Sequence, residues 1–538
     1  MWWKGRLKWR ILTIFKEYQP RLFYFAIMTI LIKNILLIDG SGQPAVKADV
    51  LVKNEKIAAI GSFPRYQADT IIDGMGAYLA PGFIDCNTNS DRYLTIFSNP
   101  TQQDFLLQGI TTIIGGQDGV SLAPLLYGSL DLQKIYTNPY KINVDWHTVS
   151  DFFDVVKRRP LGVNFGTFVG HSTLRHTIIG NDFRDLTPKE LGVFRYMLDA
   201  AMKDGAMGVS FDLQSPVAAL TPAKEIKLAL EVVEKHKGIA AFKVRSGSDT
   251  TVHKGDTNNH FLPAVTEIIN ASKETGARVL ITNFSPLNGL EEEYRHAIEV
   301  IEENAAVADV YFTMHPFAHS IIPIVSFLPV WAQRGGMDEI LKVLQSPELS
   351  AKIISELEHF LGDSIVIHDA PGLDHLVGKT LRQFGDDCGT AMPETLLILM
   401  RTTKLRATLV YNNISLQEFN RALLCDRSLV ASSGMSFERT RPQARLRLFS
   451  DTIATYLQTI VTDKAISIES AIRKLTSVPA QRLGIKQRGL IREGYFADLV
   501  MIRDLKIETV FVNGTIAVRD GALTETPLSG RIVNHANE

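Results

Sequence analysis

Two rhythms of apolar and polar residues divide the chain. From Met28 to about residue 80, short β-rich runs alternate with turn residues: 32–38 before Asp39-Gly40-Ser41-Gly42, then 49–53, then 57–60 closed by Gly61. Runs of that length, punctuated by glycine, aspartate and serine, predict a small sheet domain. After Pro81 the runs become continuous, at 111–114, 163–169, 207–211, 239–242, 279–282 and 310–313, each followed by a helical pattern. Continuous apolar runs suit strands buried on both faces of a parallel sheet.

Helix starts support the alternation. Thr187-Pro188-Lys189-Glu190 places a capping hydroxyl before a proline at the first helical position and a glutamate three residues after the cap. Leu191, Phe194, Leu198 and Ala201 then recur on one face until Gly205. Thr221-Pro222-Ala223-Lys224-Glu225 reads as the same device, ending at Gly238. Counting from Gly82 there are seven such strands to Thr313 and an eighth at 428–432, which predicts an α/β chain with a (β/α)8 TIM barrel at 81–486. The stretch of about 316–427 has helix and strand patterns of its own and is expected to be an inserted subdomain before the last barrel strand. Short β runs return at 499–502, 509–512 and 516–518. Residues 487–538 are therefore expected to join 28–80 in a discontinuous small β-sandwich built from both chain ends.

Residues 1–27 are basic and aromatic, and the apolar run 11–15 is broken by Lys16-Glu17. It is far short of the roughly 20 residues needed to span a bilayer, so this stretch reads as a poorly ordered N-terminal extension and a cytoplasmic location is expected.

Composition narrows the classes. The 538 residues are 45% hydrophobic and 21% charged, which excludes disorder, collagen and coiled coil. With 57 basic against 58 acidic side chains there is no polybasic field for nucleic acid. The three cysteines, Cys86, Cys388 and Cys425, are too scattered for a disulfide framework or a CxxC zinc site. Thirteen histidines leave room for a metal site.

Ala80-Pro81-Gly82-Phe83-Ile84-Asp85 and the late segment from Arg488-Gly489-Leu490 to Ala497-Asp498-Leu499-Val500 resemble the amidohydrolase superfamily. The nearest branch is similar to the N-acyl-D-amino-acid deacylases, or D-aminoacylases. Gly109-Ile110-Thr111-Thr112, Gly119-Val120-Ser121-Leu122-Ala123-Pro124, Val169-Gly170-His171-Ser172, Leu376-Val377-Gly378-Lys379 and Val512-Asn513-Gly514 follow in matching order. The resemblance implies zinc-assisted hydrolysis of a non-peptide C–N amide bond, with ligands at the C-terminal ends of barrel strands.

Position by position, the resemblance then fails at the chemistry. Where it implies His-x-His, the chain has Asn87-Thr88-Asn89; a cysteine ligand falls on Asp118; histidines fall on Lys243 and Asn283; a lysine falls on Ser285. The proton-shuttling aspartate falls on Ser433, and the arginine expected to hold a substrate carboxylate falls on Gln443, with Arg441 and Arg445 nearby. Neutral amides bind zinc weakly and an ammonium has no lone pair. No zinc is therefore expected, although zinc is the family's cofactor.

Lys243 and Asp118, of opposite sign on two ligand positions, are expected to pair in the metal's place. His171 is a candidate pocket-lining residue, with structural duty the alternative. His315 with His319, His368-Asp369, and Ser433 with Lys243 are weaker catalytic candidates, and Cys86 reads as a core residue. The expected partner is a small, N-acyl-amino-acid-like molecule in the barrel mouth, with no nucleic acid and no membrane span; homo-oligomerisation is left open. Three readings follow: a catalytically degenerate amidohydrolase homologue, or pseudoenzyme; an active hydrolase with an unconventional site; and a non-catalytic structural protein.

Overall fold

The computed structural model describes residues 28–125, 130–137, 142–182, 184–215, 218–245, 261–333, 335–357, 365–437, 450–463, 465–525 and 528–535. The expectation for residues 1–27 therefore lies outside the described residues.

The first strands are β1 (Thr29–Leu37), β2 (Val46–Lys53), β3 (Lys56–Gly61), β4 (Thr70–Asp73) and β5 (Tyr78–Pro81). Central strands follow: β6 (Phe83–Asp85), β7 (Ile110–Gly115), β8 (Asn164–Thr167), β9 (Val169–Gly170), β10 (Gly208–Asp212), β11 (Ile239–Lys243), β12 (Arg278–Ile281) and β13 (Val310–Met314). β14 (Ser320–Pro323), β15 (Val366–Asp369) and β16 (Thr408–Tyr411) precede β17 (Ser428–Val430). The chain closes with β18 (Leu499–Arg503), β19 (Lys506–Val512), β20 (Thr515–Arg519) and β21 (Ala522–Leu523).

β6, β7 and β8 form one parallel sheet, and β9 to β13 with β17 form another. Only Phe168 separates β8 from β9, so one run of chain serves both sheets. At the far edges β6 and β17 meet: the Ser433 amide donates to the Asn87 carbonyl at 3.0 Å and the Asn89 amide to the Gly434 carbonyl at 2.7 Å. The outer face of these strands is covered by helices such as Pro188–Lys203, whose Thr187 side chain accepts from the Glu190 amide in a capping box.

The second expected cap is not made. The helix begins at Ala223 with no side-chain cap, and the Thr221 hydroxyl is buried without a hydrogen-bond partner among the described residues. The Thr221 carbonyl instead accepts from Arg245 Nη2 at 2.5 Å, so this turn is shaped by a guanidinium.

The two chain ends were expected to form a sandwich. Their hydrogen bonds join them in one nine-stranded sheet, with β5 pairing antiparallel to β18 from Tyr78–Ile502 to Pro81–Leu499. Between β13 and β17, strands β14, β16 and β15 form a separate antiparallel sheet. This segment has its own apolar core, including Ile322, Leu344, Ile367, Leu396 and Leu409. No helix among the described residues is long and apolar enough to cross a membrane.

The last residues also close the structure. The Phe165 amide donates to the Arg531 carbonyl and the Val533 amide to the Phe165 carbonyl, each at 2.9 Å. Val533 is thereby buried with Ile84, Ile114, Phe168, Met207 and Leu280. A buried carboxylate joins the terminal sheet to β8. Asp498 accepts from Arg488, from Asn164 Nδ2 at 3.0 Å and from the Asn513 amide at 2.7 Å. Removing one partner of a buried ion pair strands the other charge, at a cost of about 3–5 kcal/mol. Asp498→Ala is therefore expected to lower unfolding stability by about that amount, measured by denaturant titration; a change under about 1 kcal/mol would contradict the clamp.

Candidate functional site

The positions singled out in the sequence lie at the C-terminal ends of the parallel strands. Asn87 and Asn89 follow β6, Asp118 follows β7, Lys243 ends β11, Asn283 follows β12 and Ser433 follows β17. Three of them are hydrogen-bonded to one another. Asn87 Nδ2 donates to Asn283 Oδ1 at 2.8 Å and to Ser433 Oγ at 3.0 Å, and Ser433 Oγ donates to Asn283 Oδ1. Asn89 Nδ2 donates to the Ser433 carbonyl at 2.8 Å.

Backbone geometry supports this convergence. Asp118, Asn283 and Ser433 have φ of 48°, 53° and 53°. Asparagine and aspartate adopt this left-handed region more readily than serine does, and such conformations cluster where function fixes the chain. Beneath them Asp85 accepts from the Asn87 amide at 3.1 Å and the Ser432 amide at 3.0 Å. Burial pushes its carboxyl from the ordinary 3.8 up to about 6, against the lowering effect of these hydrogen bonds.

The other half of the mouth is charged. Arg92 Nη1 donates to Asp118 Oδ2 at 3.1 Å and its Nη2 to the Gln117 carbonyl at 2.5 Å. Its guanidinium lies 4.9 Å from the Tyr136 ring centre, and Tyr136 meets Tyr93 edge-on at 5.5 Å. Arg92 is thus a cation that engages Asp118, and the sequence reading missed it. Lys243 stands in register with Asp212 on the adjacent strand. Burial raises the Asp212 carboxyl, the charge of Lys243 opposes that rise and the charge of Asp118 adds to it. The available signal was Asp91-Arg92, two adjacent charges of opposite sign just past a strand end.

The remaining candidates divide. His171 is wholly buried beside β10: its Nε2 lies 2.7 Å from Glu225 Oε1, its ring stacks on Phe211 at 4.5 Å, and Phe194 of the Pro188–Lys203 helix meets it edge-on. Arg175 Nη1 adds bonds of 2.8 Å to both Glu225 oxygens, so this trio ties helices together. Ser285 is buried and its hydroxyl has no hydrogen-bond partner among the described residues. Arg441, Gln443 and Arg445 lie outside the described residues.

His315 and His319 sit between β13 and β14, where Phe317 stacks on His319 at 5.4 Å. His368 Nδ1 lies 2.9 Å from Thr408 Oγ1; burial lowers this imidazole to about 4, with the charge of His319 adding to the effect. Cys86 is a buried thiol whose pKa burial raises.

Zinc is tested by donor chemistry. Asn87, Asn89 and Asn283 offer neutral amide oxygens, Lys243 an ammonium, and Asp118 a carboxylate already engaged by a guanidinium. Such a set does not fit a zinc ion, which takes thiolate, imidazole and carboxylate ligands. Among the described residues, no group of three His, Cys, Asp or Glu side chains is arranged to hold a metal ion.

With this geometry in hand, similarity to known proteins becomes informative. Residues 449–533 match the amidohydrolase family. The chain is similar to the N-acyl-D-aspartate deacylase of Alcaligenes xylosoxydans xylosoxydans, 28% identical over 495 residues, which cover 91% of this chain and 89% of that protein. D-aminoacylase of the same organism is 26% identical over 510 residues, covering 91% and 94%. Among solved structures, D-aminoacylase matches with a TM-score of 0.74 at 23% identity over 94% of this chain and 99% of its own. The N-acyl-D-glutamate deacylase of Bordetella bronchiseptica, complexed with zinc and a phosphonate inhibitor, matches with a TM-score of 0.74 at 21% identity over the same shares. The fold is the mixed α/β fold of the D-aminoacylase structures, in the amidohydrolase barrel class.

The buried carboxyls give a pH signature. Asp85 binds its proton more tightly folded than unfolded, so between pH ~4 and ~6 the folded chain holds more protons and stability falls as pH rises. The denaturation midpoint at pH 5 is expected to exceed that at pH 7, and Asp212→Asn to narrow the difference. A midpoint that rises from pH 5 to pH 7 would refute this sign.

Proposed function

We propose that this chain is a D-aminoacylase-like protein that binds a small molecule at its barrel mouth without zinc-dependent hydrolysis. The observation that carries this reading is the closed hydrogen-bond set of Asn87, Asn283 and Ser433, at three positions where the resemblance calls for two metal ligands and a proton-shuttling aspartate. An amide oxygen supplies no negative charge to a metal, and a serine hydroxyl at neutral pH does not take up a proton as a carboxylate does. Homology to N-acyl-D-amino-acid deacylases over nine-tenths of the chain favours an amino-acid-like ligand.

The alternative of an active hydrolase centred on Ser433 has little support from the contacts. The hydroxyl donates to the Asn283 amide oxygen, which is not a base and does not activate a nucleophile. A purely structural role leaves the polar lining of the mouth without explanation.

Metal analysis of the purified protein is expected to find far less than one zinc per chain, and N-acyl-D-aspartate or N-acyl-D-glutamate to release no amine when zinc is added. Stoichiometric zinc with turnover abolished by Asp118→Ala would overturn the proposal. A combined variant, Asn87→His, Asn89→His, Asp118→Cys, Lys243→His, Asn283→His and Ser433→Asp, is expected to gain zinc binding, read by the same metal analysis.

A further inference from the structure

We infer that the inner end of the mouth receives a primary ammonium group, so that the ligand is a free amino acid or a related primary amine and not its N-acylated form. This rests on the reading that the mouth binds without zinc. Among the described residues, three buried oxygen atoms there have no hydrogen-bond partner: Asn87 Oδ1, Asn89 Oδ1 and Asp118 Oδ1.

Their neighbours fix them as acceptors. Asn89 Nδ2 donates to the Ser433 carbonyl, which can only accept, and this leaves the amide oxygen over. Asn87 spends its nitrogen on Asn283 Oδ1 and Ser433 Oγ, while the serine proton goes to Asn283 Oδ1. Asp118 gives Oδ2 to Arg92 and keeps Oδ1. The segments carrying these atoms run side by side. β6 pairs with β7 at Asp85–Ile113, the Thr88 amide donates to the Ile114 carbonyl at 3.1 Å, and Gln117 Nε2 donates to the Cys86 carbonyl at 2.8 Å.

A buried acceptor left unpaired costs about 1–3 kcal/mol. An ammonium brings three N–H donors and a charge that suits the carboxylate oxygen. An acylated nitrogen brings one N–H and a carbonyl oxygen, which would meet acceptors. The mouth has thus inverted the polarity of a zinc site, where a cation draws a carbonyl oxygen inward. The nearby cations have partners of their own: the two Arg92 Nη atoms are held by Asp118 and the Gln117 carbonyl, its Nε–H alone being left over among the described residues, and Lys243 acts electrostatically on Asp212.

Calorimetric titration of the full chain with D-aspartate, D-glutamate and their N-acetyl forms tests this, with amine release assayed on the same samples. The expected result is that a free amino acid binds about tenfold or more tightly than its N-acetyl form, the worth of one charge-assisted hydrogen bond. Asp118→Asn can keep its oxygen on Arg92 while an N–H replaces the unpaired oxygen, and is expected to cost a further tenfold or so in affinity. Asn89→Ala reads the same direction should that variant not fold. Equal or tighter binding of the N-acetyl forms, binding of no free amino acid, or an affinity indifferent to these variants would overturn the inference. Zinc-dependent amine release would overturn the non-hydrolytic reading itself, whereas preference for an N-acetyl form without release overturns only the ammonium assignment.

Discussion

The seam between β6 and β17 is the constraint on which the rest depends. A parallel barrel-class sheet must join its first and last strands, and here the joining groups are 347 residues apart in sequence, at Asp85 and Ser432. The Asp85 carboxylate meets two backbone amides that would otherwise be buried without acceptors, which is why a costly buried acid is retained there. Asn87 and Ser433 flank this clamp directly. Their side chains can meet only because the clamp has aligned the two strand ends, and Asn283 completes the contact from across the mouth.

That alignment gives the site its chemistry. A metal would hold the strand ends through several charged or lone-pair ligands at once. Here the same positions are held by neutral hydrogen bonds on one side and by the Arg92–Asp118 ion pair on the other. Neutral hydrogen bonds in a buried site are directional, so each amide that spends its nitrogen on a neighbour must present its oxygen elsewhere. The acceptor character of the mouth follows from how the strand ends are tied together. The segment between β13 and β17 adds a second wall: Asp369, at the end of β15, acts electrostatically on Tyr93, and His368 meets the Phe437 ring at 5.9 Å.

Much of the fold was legible because it depends on local pattern. Continuous apolar runs mark β7, β10, β11, β12 and β13 within a residue or two, and Thr187 caps its helix because proline and glutamate stand at the right offsets. The signal at Thr221 misled because its glutamate stands four residues on and not three, and that Glu225 is held by His171 and Arg175. The order of strands in the two-ended sheet was not legible, because strand periodicity reports which face is buried and not which strand is the neighbour. The β5–β18 pairing that merges both ends is a contact between distant segments.

Sequence alone determined which residue types stand at the strand ends: Asn87, Asn89, Asn283 and Ser433 are neutral, and Lys243 is a cation, whatever their arrangement. The functional groups those side chains offer were legible before any coordinate. Tertiary structure decided who meets whom. It brought Arg92 to Asp118, set Lys243 beside Asp212, and committed His171 to Glu225 behind the sheet. Such pairings depend on distances between strand ends far apart in sequence, and on burial that makes each charge select a partner. The linear pattern encodes neither.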